Sequence, residues 1–312
     1  MACIIPIGGG KGGSGKSFLT GNLGILLAAN GKRTLLIDVD LGGANLHTMI
    51  GIPHPEANLS DFTNREVRRL SDTIIRTPFP NLFLISGADN ALNLANIHYR
   101  QKMRLLKTIP KLSFDYIILD LGAGTAFNTI DFFMISDHCV FVTTPEPTSI
   151  ENVYRLIRSV YFRKIRHILN ENEFNLFISR LTDRTKGAKM DFLSDLVATL
   201  QHMSLDKARL LRQLLDPLEF KLVINQFRRQ DNPNLGALMS ILVKKHLGIN
   251  MEFVGNIGFD DRVHTAICDK VPYIQKYPYT RTATELRELC SGILLIETRM
   301  QDTLSLFESI PS

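Results

Sequence analysis

The glycine-rich stretch GGGKGGSGKS, residues 8–17, constrains the fold of this chain more than any other part of its sequence. Gly10, Gly15, Lys16 and Ser17 satisfy the spacing G-x-x-x-x-G-K-[ST]. In this pattern the glycines allow a tight turn whose backbone N–H groups point at phosphate oxygens, and the lysine adds a positive charge. The stretch lies between the apolar run ACIIPIG and the helix-compatible run SFLTGNLGILLAAN. It therefore predicts a strand, a phosphate-binding loop and a helix, in that order.

The rest of the chain alternates short apolar runs with longer stretches whose apolar residues recur at helical spacing. This alternation predicts an α/β fold: a doubly wound, mostly parallel sheet with helices on both faces. The predicted strands cover residues 2–8, 33–40, 81–86, 115–122, 138–145, 220–227 and 252–259. The predicted helices cover residues 17–30, 99–109, 125–136, 149–165 and 234–248.

One interval, residues 167–217, contains no convincing strand and holds two or three helical patterns instead. We interpret it as a helical insertion within a single domain that spans residues 1–312. Because it connects a helix to the next strand, we expect it at the N-terminal edge of the parallel sheet, away from the phosphate loop. It is either a packing elaboration or a partner-docking element. The second interpretation is favoured, because long insertions commonly add recognition.

The phosphate loop predicts binding of a nucleoside triphosphate. The N-terminus of the following helix contributes the positive end of its dipole, and Lys16 contributes a mobile charge at the phosphates. Ser17 offers a hydroxyl group to Mg²⁺. The candidate nucleotide-binding residues of the loop are Gly10, Gly12, Gly13, Ser14, Gly15, Lys16, Ser17 and Phe18.

Three aspartates follow predicted strands that should end beside this loop. Asp38 and Asp40 close the run LLIDVD, and Asp120 closes the run YIILD. In a parallel sheet the carboxyl ends of the strands meet at one edge, where ligands bind. We assign Ser17, Asp38 and Asp120 to a magnesium site, with Asp120 acting through water. Asp38 and Asp40 are the two candidates to orient or deprotonate the water that attacks the γ-phosphate.

Several of these motifs together resemble a known family. KGGSGKS with its additional Lys11, DVDLGGANL, DYIILDLGAG and VTTPEPTSIENVY are similar to the MinD/ParA family of deviant Walker-A ATPases, and especially to its FlhG (FleN) branch of flagellar-number regulators. The resemblance covers most of residues 1–165 and resumes at KLVINQF, continuing to residue 283. It implies a P-loop NTPase fold that binds ATP or ADP with Mg²⁺.

The resemblance also implies roles for individual residues. Lys11 would be the signature lysine that reaches across an ATP-dependent homodimer to the phosphates bound by the partner. A cation supplied by a second subunit can stabilise the charge that develops during phosphoryl transfer. The candidate catalytic residues are therefore Lys11, Lys16 and Asp40. Asn225, at the end of KLVIN, would hydrogen-bond adenine, because an amide offers both a donor and an acceptor.

The predicted function is that of a slow, partner-stimulated ATPase that works as a spatial switch. It would cycle between an ATP-bound dimer and an ADP-bound monomer and position a flagellum or other polar machinery, with an FlhF-like GTPase or a polar component as its partner. The alternative is a ParA-type partition ATPase whose dimer binds DNA nonspecifically. The residues that would contact DNA are Arg155, Arg158, Arg163, Lys164 and Arg166.

The net charge and the spacing of the cysteines help to predict where in the cell the protein lies. The formal net charge is +5, and the four cysteines lie far apart without a CxxC pair, so the sequence predicts a reducing cytoplasm, with polar or peripheral membrane placement as the alternative. The C-terminal stretch 292–312 can form an amphipathic helix. Beyond Arg299 its only charged residues are Asp302 and Glu308, which anionic headgroups repel. We therefore expect this helix to pack on the core rather than bind a membrane.

Overall fold

The computed structural model describes residues 2–40, 43–87, 98–136, 138–175 and 218–293, together with 206, 209, 210 and 213. Its strands are β1 (Cys3–Gly8), β2 (Thr34–Val39), β3 (Ile75–Arg76), β4 (Leu82–Ile85), β5 (Tyr116–Leu121), β6 (His138–Thr143), β7 (Glu219–Phe227) and β8 (Met251–Gly258). They form one sheet in the order β3-β4-β2-β5-β1-β6-β7-β8. Every neighbouring pair is parallel except β3 with β4.

The helices connect these strands. They are α1 (Lys16–Ala29), α2 (Leu46–Met49), α3 (Leu59–Thr63), α4 (Tyr99–Thr108), α5 (Phe127–Phe132), α6 (Pro147–Arg166), α7 (Leu235–Leu247), α8 (Arg262–Cys268), α9 (Tyr273–Lys276) and α10 (281–293). Short 3₁₀ turns lie at Leu70–Thr73, Ile109–Lys111 and Phe133–Ile135. None of the helices in the described ranges is both long enough and apolar enough to cross a membrane.

The hydrophobic core lies on both faces of the sheet. One cluster joins α1 and α10 to the sheet through side chains such as Leu23 and Leu286, and the other joins α4 and α6 to the opposite face through Leu105 and Leu156. All six residues of β1, of β2 and of β5 are buried. Burial on both faces explains why these strands appear in the sequence as continuous apolar runs. The predicted doubly wound α/β fold is confirmed.

Some elements escaped prediction because they are too short to show a period. Strand β3 has only two residues and pairs antiparallel with β4 at the edge of the sheet, with Ile75 opposite Leu84. Helices α2 and α3 have four and five residues. Two residues cannot display an alternation, and five residues are little more than one helical turn. These elements therefore depend on tertiary contacts rather than on local pattern.

The basic stretch of α6 is largely occupied by contacts within the chain. Arg163 donates to Asp131 at 2.9 Å, and the buried Lys164 ammonium donates to the carbonyl of Ser136 at 2.7 Å. Arg155 pairs with Glu151 one helical turn away. Arg158 and Arg166 lie over the rings of Phe162 and Phe174. Arg163 and Lys164 thus anchor α6 within the chain, whereas Arg155, Arg158 and Arg166 keep their charges near the surface, and the DNA-binding alternative stays a prediction.

The predicted insertion joins the end of α6, at Arg166, to the start of β7, at Glu219. In a parallel sheet this connection begins and ends at the N-terminal edge, opposite the phosphate loop. A helical turn covers residues 171–175. Most of residues 176–217, and residues 294–312 of the predicted C-terminal helix, lie outside the described residues. The roles predicted for both segments stay predictions.

Candidate nucleotide-binding site

The phosphate loop occupies residues 9–15, between the end of β1 and the start of α1. Gly15 has a φ of 88°, and a Cβ atom there would lie 2.0 Å from Nδ2 of Asn225. A Cβ atom on Gly10 would lie 2.2 Å from the backbone carbonyl carbon of Asn152 in α6. Only glycine fits either position, because any side chain would collide with a neighbouring group. Gly10 is thus required by packing, and Gly15 by packing and by its positive φ.

The end of β7 braces this loop from the side. Nδ2 of Asn225 donates to the carbonyl of Ser14 at 2.9 Å, and Nε2 of Gln226 donates to the carbonyl of Gly13 at 2.8 Å. Gln226 has a φ of 58°, a left-handed conformation that few non-glycine residues adopt. This backbone turn lies where the register between β7 and β8 shifts. The two amides thus hold the loop against the end of β7.

Two buried polar atoms in the site have no hydrogen-bond partner among the described residues. One is the hydroxyl oxygen of Ser14 in the loop, and the other is Oδ2 of Asp120 at the end of β5. The second carboxylate oxygen of Asp120 accepts from the hydroxyl of Thr20 at 3.3 Å. Buried polar groups without partners are costly, and they are commonly satisfied by a ligand or by water. These two atoms mark where ligand groups would complete the site.

Asp120 and Asp38 lie opposite each other on the neighbouring strands β5 and β2. Burial and the charge of Asp120 raise the pKa of Asp38 to about 8. Burial also raises the pKa of Asp120 to about 6, although the Ser17 hydroxyl and the Lys16 charge favour its ionised form. Both shifts have the same origin, which is negative charge held out of water. A cation bound at this edge would therefore favour the ionised form of both carboxylates.

The three aspartates have different surroundings. The two oxygens of Asp38 accept from the backbone N–H groups of Asp40 and Leu46, at 3.1 and 3.0 Å. Asp40 is half-buried, and its Oδ1 would lie 3.0 Å from a Cβ atom added to Gly122. Asp38 thus shapes the turn after β2, and its predicted place in the magnesium site stays a prediction. Asp40 and Asp120 remain available to a ligand at the edge of the sheet.

The donor set fits Mg²⁺ that is bound chiefly by a nucleotide. Among the described residues, no group of three or more His, Cys, Asp or Glu side chains is arranged to hold a metal ion on its own. Mg²⁺ usually retains water and takes one or two protein ligands plus phosphate oxygens. The Ser17 hydroxyl and the unpartnered oxygen of Asp120 can supply that small protein share. Lys16 is buried beside them with 7% exposure, suitably placed to neutralise phosphate charge.

Lys11 lies apart from this buried group. Its Nζ pairs with Oε2 of Glu146 at 2.9 Å, and the two side chains are 47% and 60% exposed. Glu146 immediately precedes α6. An exposed ion pair of this kind contributes less than about 1 kcal/mol, so it opens readily. The two lysines of the loop therefore differ: Lys16 points into the site and Lys11 points to solvent.

A family model described as an AAA domain, AAA_31, matches residues 2–173, more than half of the chain. The chain belongs to this family. That stretch contains β1 to β6 and α1 to α6, and hence the phosphate loop and all three aspartates. Asn225 and Gln226 lie beyond it.

Sequence relatives narrow the family assignment. It is 29% identical over 203 residues to the antiactivator FleN of Pseudomonas aeruginosa, a match that covers 61% of this chain and 71% of FleN. It is 42% identical over 95 residues to a putative septum site-determining protein MinD of Guillardia theta, covering 29% of this chain and 34% of that MinD. The chain thus matches about a third of the length of this MinD. These relatives confirm the predicted MinD/ParA family.

A solved relative supports the fold. The septum site-determining protein MinD of Pyrococcus horikoshii, complexed with Mg-ADP, superposes with a TM-score of 0.61 at 18% identity, covering 94% of this chain and 96% of that protein. At this identity the likeness concerns the fold alone. The sequence relatives, rather than this likeness, support a nucleotide-dependent regulator of the MinD/ParA type.

The structure brings most of the predicted site residues together. The loop residues, Asp38, Asp40, Asp120 and Asn225 all lie at the carboxyl edge of the sheet. The side chain of Phe18 instead packs edge-on against Tyr273 in the core, so Phe18 can offer only its backbone to a ligand. Sequence reasoning missed Gln226 and Glu146. Gln226 directly follows the predicted strand-end Asn225, which is a usable signal, whereas nothing near Glu146 in the sequence indicates its contact with Lys11.

Proposed function

We propose that this protein is an ATP-hydrolysing spatial switch of the MinD/FlhG type, which cycles between an ATP-bound dimer and an ADP-bound monomer. The observation that carries the proposal is the division of labour between the two loop lysines. Lys16 is buried beside the carboxylates, while Lys11 is exposed and held only by a surface ion pair. A lysine in that position can leave Glu146 and reach a phosphate in a second subunit at little cost.

In this proposal the residues have separate tasks. The backbone of the phosphate loop and Lys16 bind the triphosphate, and Ser17 and Asp120 hold its Mg²⁺, which neutralises phosphate charge when bound. Asp40 orients the attacking water from the end of β2, and Lys11 stabilises the developing charge from the other subunit. Asp38 supports the site by fixing the turn that carries Asp40. Dimerisation thereby completes the catalytic site.

Replacing Lys11 tests this division directly. The Lys11→Ala variant should bind Mg-ATP within about threefold of the parent affinity, because only an exposed, screened charge is removed. It should fail to dimerise with ATP and should lose hydrolysis. Sedimentation velocity with the variant and with the control Lys245→Ala, an exposed lysine on α7, measures the first effect. A Lys11→Ala protein that dimerises like the control would refute the cross-subunit role.

Replacing Asp40 separates hydrolysis from assembly. Asp40→Ala should retain ATP binding and dimerisation but lose the group that positions water, typically a 10²- to 10⁴-fold loss of rate. The dimer should therefore persist after ATP addition, which a time course of molecular mass detects. Asp61→Ala, at a capping position of α3 outside the phosphate loop, serves as the control. Hydrolysis by Asp40→Ala at the parent rate would exclude Asp40 as the water-positioning group.

The biological output in this proposal is the placement of a cellular structure. One relative is named an antiactivator and the other a septum site-determining protein, and both names describe regulators. We propose a cytoplasmic protein that concentrates at a cell pole in its ATP state, with an FlhF-like GTPase or a polar component as partner. A fluorescent fusion should be polar for the parent and diffuse for Lys11→Ala. Identical distributions of the two fusions would contradict a nucleotide-driven spatial role.

A further inference from the structure

A second concave site lies apart from the nucleotide edge. It is a cavity of about 280 Å³ between α3, α4 and the two 3₁₀ turns at Leu70–Thr73 and Ile109–Lys111. Lys111 precedes the N-terminal end of β5 by a few residues, whereas the phosphate loop follows the C-terminal end of β1. None of its lining residues belongs to the phosphate loop or to the aspartate group. The polar side chains that line it are Arg68, Arg69, Ser71, Arg104, Thr108 and Lys111.

The cavity carries an excess of positive charge. Four of its lining side chains are cationic, and none of these four forms an ion pair with a carboxylate within the described part of the chain. An acidic residue on the same turn, Asp72, accepts from the backbone N–H of Arg69 at 3.1 Å and from the hydroxyl of Ser71. Four cations around one concavity, with a single carboxylate on that turn beside them, favour a positive local potential.

One of these cations is held in a fixed position. The Arg104 guanidinium donates to the carbonyl of Phe62 at 3.1 Å and to the carbonyl of Arg68 at 2.9 Å, and it lies 3.9 Å from the centre of the Phe62 ring. These contacts use two of its five N–H donors. The remaining donors stay free for a ligand, while the same residue anchors the backbone that carries Arg68. A preorganised cation binds an anion at low entropic cost.

We propose that this cavity binds a phosphate group other than that of the nucleotide at the phosphate loop. Three of the four cations are arginines, whose planar forks match the oxygens of a phosphate. The hydroxyl protons of Ser71 and Thr108 are donated to Asp72 and to the carbonyl of Arg104, so the cations are the groups that would bind the phosphate. The volume suits a phosphate with a small attached group. The ligand is thus a small phosphorylated solute or the phosphate of an anionic lipid headgroup. A phosphate bound in this cavity would hold the surface around α3 and α4 against the molecule that carries the phosphate.

The first test uses inorganic phosphate as the probe. The parent protein for this test carries Lys16→Ala, which removes the principal cation of the phosphate loop and so suppresses competing binding there. In this background we compare Arg68→Glu/Arg69→Glu with Lys244→Glu/Lys245→Glu, a pair of exposed lysines on α7 with the same total charge change. Calorimetry should show millimolar binding that falls at least tenfold in the arginine variant and changes less than twofold in the control. Melting curves, and the milder Arg68→Gln/Arg69→Gln variant, verify that folding is intact.

The second test identifies the source of the phosphate. Vesicles of phosphatidylglycerol and of phosphatidylcholine are sedimented with the same three proteins as in the first test: the Lys16→Ala parent, its arginine variant and its lysine control. Binding to phosphatidylglycerol that the arginine variant alone loses assigns a lipid headgroup. Binding of inorganic phosphate without vesicle binding assigns a soluble ligand. If neither probe binds, or if the arginine and lysine variants lose binding equally, the proposed site is overturned. Neither test measures ATP binding by the phosphate loop, so the failure of this proposal would leave the proposed function unaffected.

Discussion

The Lys16→Ala variant is expected to lose ATP binding. Lys16 is 7% exposed and lies close enough to Asp120 for its charge to lower the pKa of that carboxyl. Without the Lys16 charge, only the backbone N–H groups of the loop would offset the negative charge of the triphosphate at this buried, acidic edge of the sheet. Removing one partner of a buried charge pair costs about 2–5 kcal/mol. The affinity should therefore fall by roughly 30- to several thousandfold.

The other lysine of the same loop provides the matched control. Lys11 is five residues away and exposed, so Lys11→Ala should bind Mg-ATP almost as the parent does. Isothermal titration with Mg-ATP compares the three proteins, and circular dichroism verifies that each is folded. Unchanged affinity of Lys16→Ala would contradict the assignment of the phosphate loop. Equal losses in both variants would instead contradict the distinction between the two lysines.

Replacing Asp131 by Ala should cause the largest loss of stability. Asp131 and Lys102 are each 5% exposed, and their charged atoms lie 2.5 Å apart. Asp131 also pairs with Arg163 at 2.8 Å, so it joins α4, α5 and α6. Within the described part of the chain, its removal would leave the buried Lys102 ammonium with the Asn128 side chain as its hydrogen-bond partner and the Tyr99 ring 5.9 Å away, but with no carboxylate. Breaking a buried pair in this way costs about 3–5 kcal/mol of the free energy of unfolding.

Urea unfolding measures this effect. The control is Glu151→Gln, which breaks an exposed pair with Arg155 and should cost less than about 1 kcal/mol. The double variant Lys102→Met/Asp131→Leu should recover most of the loss, because apolar side chains of similar volume replace the buried charges without a desolvation penalty. A loss in Asp131→Ala no larger than that in Glu151→Gln would show that the buried pair does not hold the helices together.

The sequence predicted well the features that depend on local pattern. Strands β1 and β5 are buried on both faces, so they appear as unbroken apolar runs. The phosphate loop could be located because its glycines, Lys16 and Ser17 lie at fixed spacing within ten residues. The aspartates could be grouped because parallel strands bring their carboxyl ends to one edge, and Asp38 does lie opposite Asp120.

Features that depend on contacts between distant residues could not be predicted. The pair of Lys11 with Glu146 joins residues 135 positions apart, and Gln226 reaches a carbonyl 213 positions away. From the sequence alone, the four arginines and the one lysine of α6 could be interpreted as a free basic face. The structure pairs Arg163 with Asp131, and that pairing follows from how α5 and α6 pack. Local composition reports charge but not the partner that neutralises it.

The most direct test of the account is the molecular mass of the parent protein in solution with each nucleotide. Light scattering after size exclusion should give about 35.2 kDa with Mg-ADP and about twice that mass with a non-hydrolysable Mg-ATP analogue. The dimer should return to monomer when the analogue is exchanged for ADP. A protein that binds both nucleotides and keeps the same mass with each would contradict the proposal that nucleotide state controls assembly.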